Sequence, residues 1–365
     1  MSNFIILCGG TGGHLAPGLA VGQSLIEAGH KASFVISRKD VDSRLIGKYT
    51  DLNVIKAPGM ALSKNPIKFL RFLAELRRSI AFGIKTLKKE KVDVVISFGG
   101  FNSLGFSLAS IWLGIPIVLH EANRKAGKAT RLLGRFAKRI YVPFGVKIPR
   151  RKSGQVKYSG YPIRSEIKKL PEKESKEFFG FDESANLLVV LGGSQGALVL
   201  NDWANDNFEK LAEQNIDVLC VCGQGKDKYQ DREKMSPDGK IRKIKFLEFC
   251  DNMASAMSAS QVIVARAGAG TIAELARCRI PSALIPYPYA ADNHQLENAK
   301  CFERQGACVV VEQTKLSTLF DEVKELFSNT NLRTRMIKNL SRVDDQNDTS
   351  RIVADLSAIA SGEIE

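Results

Sequence analysis

The sequence predicts an α/β architecture with two parallel-sheet domains, and three observations predict it. Short apolar, β-branched runs alternate with helical patterns along the chain. Strands separated by helices imply parallel sheets with crossover connections. Two places in the chain open alike, each an apolar strand running into a glycine turn and a helix: Ile5-Ile6-Leu7-Cys8-Gly9-Gly10-Thr11-Gly12-Gly13-His14, and Val189-Val190-Leu191-Gly192-Gly193-Ser194-Gln195-Gly196-Ala197. The length, 365 residues, suits two domains of roughly 100–200 residues each. The reading is two Rossmann-like domains facing a cleft. Ligands of such sheets bind at the carboxyl ends of the strands, so the chemistry is expected there.

The strands are expected, in order, at residues 4–8, 32–36, 92–97, 116–119 and 139–142. A second series is expected at 187–191, 217–221, 243–246, 262–265, 283–285 and 308–311. The stretch 143–171 carries Pro143, Pro149, Pro162 and Pro171 and reads as the connection between domains. The tail from Asn331 is polar and helix-compatible. The domains are therefore expected at residues 1–162 and 163–341, with a final helix at about 342–365 joining the first.

Hydrophobic content of 44% with 25% charged residues supports packed cores and argues against disorder. Seven cysteines show no paired metal spacing; Cys220 and Cys222 sit in an apolar run and read as core thiols. No metal site and no cofactor is expected. The longest apolar stretch, 104–119, contains Pro116 and falls short of the roughly 18–20 residues of a membrane span. Residues 1–7 lack the basic start of a signal peptide. A cytoplasmic chain is expected.

The net charge is +14, unevenly distributed. Residues 1–165 carry +20 and residues 166–365 carry −6. The N-terminal half is expected to meet something anionic: nucleic acid, anionic lipid or a phosphorylated substrate. No nucleic-acid recognition motif or clustered aromatic surface is evident, so nucleic acid is not expected as a partner.

Glycines at a strand-to-helix turn let a ligand approach the backbone, and the helix N-terminus adds partial positive charge; together they favour phosphate. Tight strand–helix packing also calls for glycine. Neither turn continues into the Lys-Ser/Thr of a P-loop, and neither matches G-x-G-x-x-G. A third glycine pair follows a strand in Ser97-Phe98-Gly99-Gly100-Phe101-Asn102-Ser103. His14 follows the first turn, and an imidazole with a pKa near 6.5 accepts a proton from a hydroxyl at neutral pH. The plainer alternative is a polar helix-start residue. His120-Glu121-Ala122-Asn123 ends another strand, with Glu121 suited to orienting a histidine or taking a proton, and Asn123 to holding a sugar hydroxyl. In Arg266-Ala267-Gly268-Ala269-Gly270-Thr271-Ile272-Ala273-Glu274, small residues permit close approach. There Thr271 is a donor to phosphate and Glu274 an acceptor for ribose hydroxyls, although a Glu in a first helical turn is also favoured by the helix dipole. Asp292-Asn293-His294-Gln295-Leu296-Glu297-Asn298 is a dense hydrogen-bonding cluster suited to a sugar.

These motifs, in this order and spacing, resemble the MurG family, the N-acetylglucosaminyltransferases of bacterial peptidoglycan synthesis, over nearly the whole chain. The resemblance implies a GT-B fold, inverting transfer and no essential metal. It implies UDP-GlcNAc as donor on the C-terminal domain. The implied acceptor, on the N-terminal domain, is lipid I, the undecaprenyl-diphosphate-linked MurNAc-pentapeptide. It places Thr11, Gly12 and Gly13 on the family's first turn and Asn123 on its sugar-contacting Asn. Arg164 falls on an Arg near the diphosphate and Ser194 on the diphosphate-facing Ser. Cys250 falls where a backbone amide reads uracil. Ala269, Gly270, Thr271, Ile272, Ala273 and Glu274 fall on the ribose and phosphate segment, and Gln295 on a GlcNAc contact. His14 is then the first choice for general base and Glu121 the second. The sequence departs from the family pattern at Ala122, where Gln is usual, and around Asn293-His294. A peripheral enzyme on the cytoplasmic face of an anionic inner membrane is expected. The docking stretches would be residues 64–91, with nine Lys+Arg against two acids, and residues 124–152, with eleven and none. The alternatives are a GT-B transferase with another acceptor, or a non-catalytic sugar-nucleotide binder.

Overall fold

The computed structural model describes residues 1–10, 12–38, 46–61, 65–149, 151–193, 196–223 and 228–363. The chain forms two compact units: Met1–Arg164 with Gln346–Glu365, and Ser165–Asp345.

The first unit is built on a seven-stranded sheet in the order β3-β2-β1-β4-β5-β6-β7. The strands are β1 (Asn3–Leu7), β2 (Lys31–Ile36), β3 (Asn53–Lys56), β4 (Val94–Ser97), β5 (Ile117–His120), β6 (Arg139–Val142) and β7 (Val156–Tyr158). Every pairing is parallel. Helices among the described residues of this unit include α1 (Gly12–Glu27), α2 (Pro66–Lys89), α3 (Ser103–Trp112) and α4 (Lys128–Leu133). Successive strand residues point to opposite faces. Phe4 and Ile6 therefore join a core with Leu15 and Leu19 of α1, while Ile5 and Leu7 join one with Leu87 of α2 and Phe106 of α3. With both faces covered, the central strands read as continuous apolar runs.

The second unit carries α5 (Glu172–Phe178), α6 (Leu198–Glu213), α7 (Met253–Ala259), α8 (Ala269–Cys278), α9 (His294–Arg304), α10 (Leu319–Ser328) and α11 (Thr330–Asp344). Its strands are β8 (Asn186–Leu191), β9 (Ile216–Val221), β10 (Arg232–Met235), β11 (Ile241–Leu247), β12 (Val262–Ala265), β13 (Ser282–Leu284) and β14 (Val309–Val310). They run in the order β10-β11-β9-β8-β12-β13-β14. Among the described residues, only the β10–β11 edge pair is antiparallel. Leu188, Val190, Val218 and Val264 pack against Leu200, Phe208 and Leu211 of α6 and Val323 of α10.

The last helix, α12 (Thr349–Ala360), returns to the first unit. Ile352, Leu356 and Ile359 complete the core around Phe4 and Phe34. Its Asp355 accepts the Tyr141 hydroxyl at 2.5 Å and the Lys157 ammonium at 2.7 Å, with Arg139 Nε at 3.4 Å. Burial, and then the Asp355 carboxylate, push the Tyr141 phenol well up.

All eleven expected strands are present, within two residues at each end. Three more were not expected: β3, β7 and β10. The stretch 143–171 is thus more than a connection, because β7 lies inside it and extends the first sheet.

In each sheet the chain lays strands outward on one side, then crosses back. β4 pairs with the free side of β1, and β12 with the free side of β8. The topology thus reverses at β1/β4 and at β8/β12, and the carboxyl ends there form crevices suited to ligands.

Candidate active site

At the β1/β4 switch point two glycine turns interlock. A Cβ on Gly9 would come within 2.3 Å of the Ser37 amide nitrogen, and one on Gly100, at φ +91°, would fall 2.0 Å from the Gly9 carbonyl oxygen. Backbone lies on backbone, so no side chain fits. His14, half-buried in the first turn of α1, lies against the second pair: a Cβ on Gly99 would meet its Nε2 at 3.1 Å. Gly12 and Gly13 open α1, whose first-turn N–H groups have no intrahelical acceptor and are suited to an anion. Thr11 lies outside the described residues.

β5 delivers His120, Glu121 and Asn123 to the same carboxyl edge. Glu121 is buried and both its oxygens are engaged. Oε1 accepts the Asn123 backbone N–H at 3.0 Å and its side-chain amide at 3.2 Å. Oε2 accepts the Gly127 N–H at 2.7 Å and the Thr130 hydroxyl at 2.9 Å. The carboxylate therefore shapes the loop that presents Asn123. His120 is buried between Phe98, at 5.2 Å, and Tyr161, at 6.2 Å. Its Nε2 donates to the Gly160 carbonyl at 3.1 Å, and its Nδ1 has no partner among the described residues. Burial holds its pKa down, to about 4, against the raising effects of that carbonyl and of Glu121. His120 is thus a neutral imidazole with a structural bond. Arg164, the last residue before the second unit, donates to the Tyr49 hydroxyl at 3.3 Å.

In the second unit, Gly192 and Gly196 follow β8. A Cβ on Gly192 would lie 2.4 Å from the Ala197 amide nitrogen, and one on Gly196, at φ +68°, 2.2 Å from the Cys222 carbonyl oxygen. The turn leads into α6; Ser194 lies outside the described residues. On the neighbouring strand, β12 leads through Gly268 into α8. Ala269, Gly270, Thr271, Ile272 and Glu274 are half-buried there and Ala273 is buried. Gln295 accepts the Tyr287 N–H at 3.0 Å, which ties α9 to the loop after β13. Cys250 is buried after β11. The structure thus places the segments beginning at Gly192 and Ala269 at one switch point, with Gln295, in the first turn of α9, bonded to the loop that follows β13.

Arg266 and Tyr161 were not singled out as site residues from sequence. Arg266 donates to the carbonyls of Ile285, at 3.2 Å, and Pro286, at 3.4 Å, and to Gln313 Oε1 at 2.7 Å, and it lies over the Tyr287 ring. Burial lowers its pKa. It holds the loop carrying Tyr287 against the start of α8. Its place directly after a strand, ahead of a glycine turn, was the available signal.

The glycosyltransferase family 28 N-terminal domain model matches residues 4–142, and the family 28 C-terminal domain model matches residues 187–350. The UDP-N-acetylglucosamine–N-acetylmuramyl-(pentapeptide) pyrophosphoryl-undecaprenol N-acetylglucosamine transferase of Opitutus terrae is 43% identical, covering 98% of this chain and 94% of its own length. The chain belongs to the MurG family. The transferase of the same name from Psychromonas ingrahamii is 33% identical, covering 91% of each chain. The crystal structure of Acinetobacter baumannii MurG superposes with a TM-score of 0.67 at 25% identity, covering 98% of this chain and 99% of its own. A glycotransferase of kitacinnamycin, 14% identical with a TM-score of 0.70, shares the fold. This member of the MurG family is therefore a glycosyltransferase of GT-B type.

Proposed function

We propose that this enzyme moves GlcNAc from UDP-GlcNAc to the 4-hydroxyl of MurNAc in lipid I, with inversion, to give lipid II for peptidoglycan synthesis. The observation that carries this reading is the 43% identity to a transferase of that name across 98% of the chain. The switch-point turn of each unit suits one part of the chemistry, the first the acceptor and the second the donor diphosphate. The acceptor oxygen attacks the anomeric carbon as the bond from that carbon to the diphosphate oxygen breaks. UDP leaves with the electron pair, and the hydroxyl proton passes to His14.

His14 suits the base because it sits at the β1/β4 switch point on a helix start. Glu121, with four donors on its carboxylate, suits holding Asn123 toward the acceptor sugar. The N-termini of α6 and α8, with Ser194, Thr271 and Arg164, suit the leaving diphosphate; one such preorganised donor is worth about 3 kcal/mol. Glu274 suits the ribose, the Cys250 amide the uracil and Gln295 the GlcNAc. These roles are tested by His14→Ala. The expected result is a kcat lowered at least about 100-fold with donor affinity retained; near-normal turnover removes His14 from the mechanism. Transfer from UDP-GlcNAc but not from UDP-glucose, only with a lipid I analogue present, tests the substrates.

The membrane-facing surface belongs to the first unit. Only the C-terminal half of α2 is buried, with Gly83 against Ala109 of α3. The N-terminal half leaves Ile67, Phe69, Leu70 and Leu73 exposed beside Lys68 and Arg71. Trp112 is 81% exposed, and Leu132, Phe136 and Phe144 are exposed among Arg131, Arg135 and Lys147. No helix among the described residues is long and apolar enough to cross a membrane. Exposed apolar side chains ringed by cations suit peripheral docking on an anionic cytoplasmic leaflet, at about 1 kcal/mol per well-placed cation. Sedimentation with vesicles should rise with anionic lipid content; binding indifferent to it argues against this surface.

A further inference from the structure

Helix α1 contains Pro17. A proline has no N–H, so within a helix it removes the bond to the carbonyl four residues earlier, and its ring crowds that carbonyl. Here that carbonyl belongs to Gly13, the residue before His14. Another side chain reaches it: the Tyr161 hydroxyl donates to the Gly13 carbonyl oxygen at 3.4 Å. We infer that Tyr161 is a positioning residue, its hydroxyl standing in for the helix bond that Pro17 deletes and so fixing the turn that carries His14.

Tyr161 is well placed for this. It is only 5% exposed. Its backbone N–H donates to Asn347 Oδ1 at 2.8 Å, and its ring meets the buried His120 edge-on. The preceding Gly160 sits at φ +66°, and a Cβ there would lie 2.4 Å from the Gln346 carbonyl oxygen. That same glycine accepts the His120 bond. The tyrosine is therefore anchored from the β5 end and from the returning C-terminal segment, and it applies that anchorage to the carbonyl whose i+4 helix bond Pro17 deletes. A phenylalanine here would keep the packing and lose the bond.

The inference rests on the reading of His14 as base, and the test separates the two. Tyr161→Phe, Pro17→Ala and the double variant are measured for kcat, for KM with UDP-GlcNAc and for urea unfolding. Pro17→Ala restores a backbone N–H opposite Gly13. The expected result is a kcat lowered about 3- to 10-fold by Tyr161→Phe, with KM for UDP-GlcNAc within about twofold and folding retained. In the Pro17→Ala background the same substitution should change kcat by less than about 1.5-fold, because the helix then closes its own bond. Equal losses in both backgrounds overturn the proposal, as does coupling seen in unfolding but not in kcat. If Pro17→Ala does not fold, the Tyr161→Phe split decides: a raised KM with kcat retained also overturns it. Normal turnover in His14→Ala removes the base and is recognised separately.

Discussion

Glu121 holds both amides of Asn123, the backbone N–H at 3.0 Å and the side chain at 3.2 Å, on a single carboxylate oxygen. The other oxygen holds Gly127 and Thr130. Glu121→Ala leaves these half-buried donors without their acceptor and should cost about 2 kcal/mol of stability. Asn123→Ala should stay within about 1 kcal/mol. If Glu121 works by aiming Asn123, their losses in kcat do not multiply. A double-mutant cycle in transfer rate, beside urea unfolding of each variant, checks this; independent, multiplying losses would give Glu121 a role of its own.

The buried His120 makes stability depend on pH. Its folded pKa, about 4, lies below the ordinary 6.5, so the unfolded chain binds the extra proton between those values. The stabilisation is complete above pH 6.5 and is lost as pH falls toward 4. It amounts to up to about 3 kcal/mol. Urea unfolding at several pH values should show this fall, and His120→Gln should flatten it. An unchanged slope in that variant would assign the dependence to other groups.

Asp355 satisfies a buried tyrosine and faces two cations from the far end of the chain. Asp355→Ala should destabilise the first unit by about 3 kcal/mol, since it strands Arg139 and the Tyr141 hydroxyl. Asp355→Asn keeps an acceptor and should cost less. Limited proteolysis is expected to release α12 from the alanine variant first.

Gly196→Ala places a Cβ 2.2 Å from the Cys222 carbonyl oxygen at φ +68°. Two glycine requirements coincide, positive φ and close approach, so the turn must shift, at a cost of about 2–4 kcal/mol. The KM for UDP-GlcNAc should rise by more than about tenfold if this turn holds the diphosphate. An unaltered KM would move the donor phosphates elsewhere.

The eleven strands legible in the sequence are apolar runs, most of them covered on both faces. The three missed strands, Asn-Val-Ile-Lys, Val-Lys-Tyr and Arg-Glu-Lys-Met, all lie at sheet edges. An edge strand is only partly covered and carries charge that discourages further pairing, so its pattern fades. The switch-point turns were legible because glycine is forced there by backbone contact. The loop role of Glu121 was not, because Gly127 and Thr130 look like ordinary loop residues until the chain folds back. Tyr161 was hidden for a related reason: its partner carbonyl is 148 residues away, and only Pro17 hints that this carbonyl needs a donor.

The bond between Tyr141 and Asp355 spans 214 residues, and it bears on the order of events at the ribosome. Residues 165–345 form an uninterrupted unit that has fully emerged before α12 does. The half of the enzyme made first is therefore the half finished last, waiting with its β1 face incompletely covered until α12 has been made. A premature stop a few codons before α12 would spare the unit proposed to hold the nucleotide and leave the earlier-made unit without the helix that closes its core.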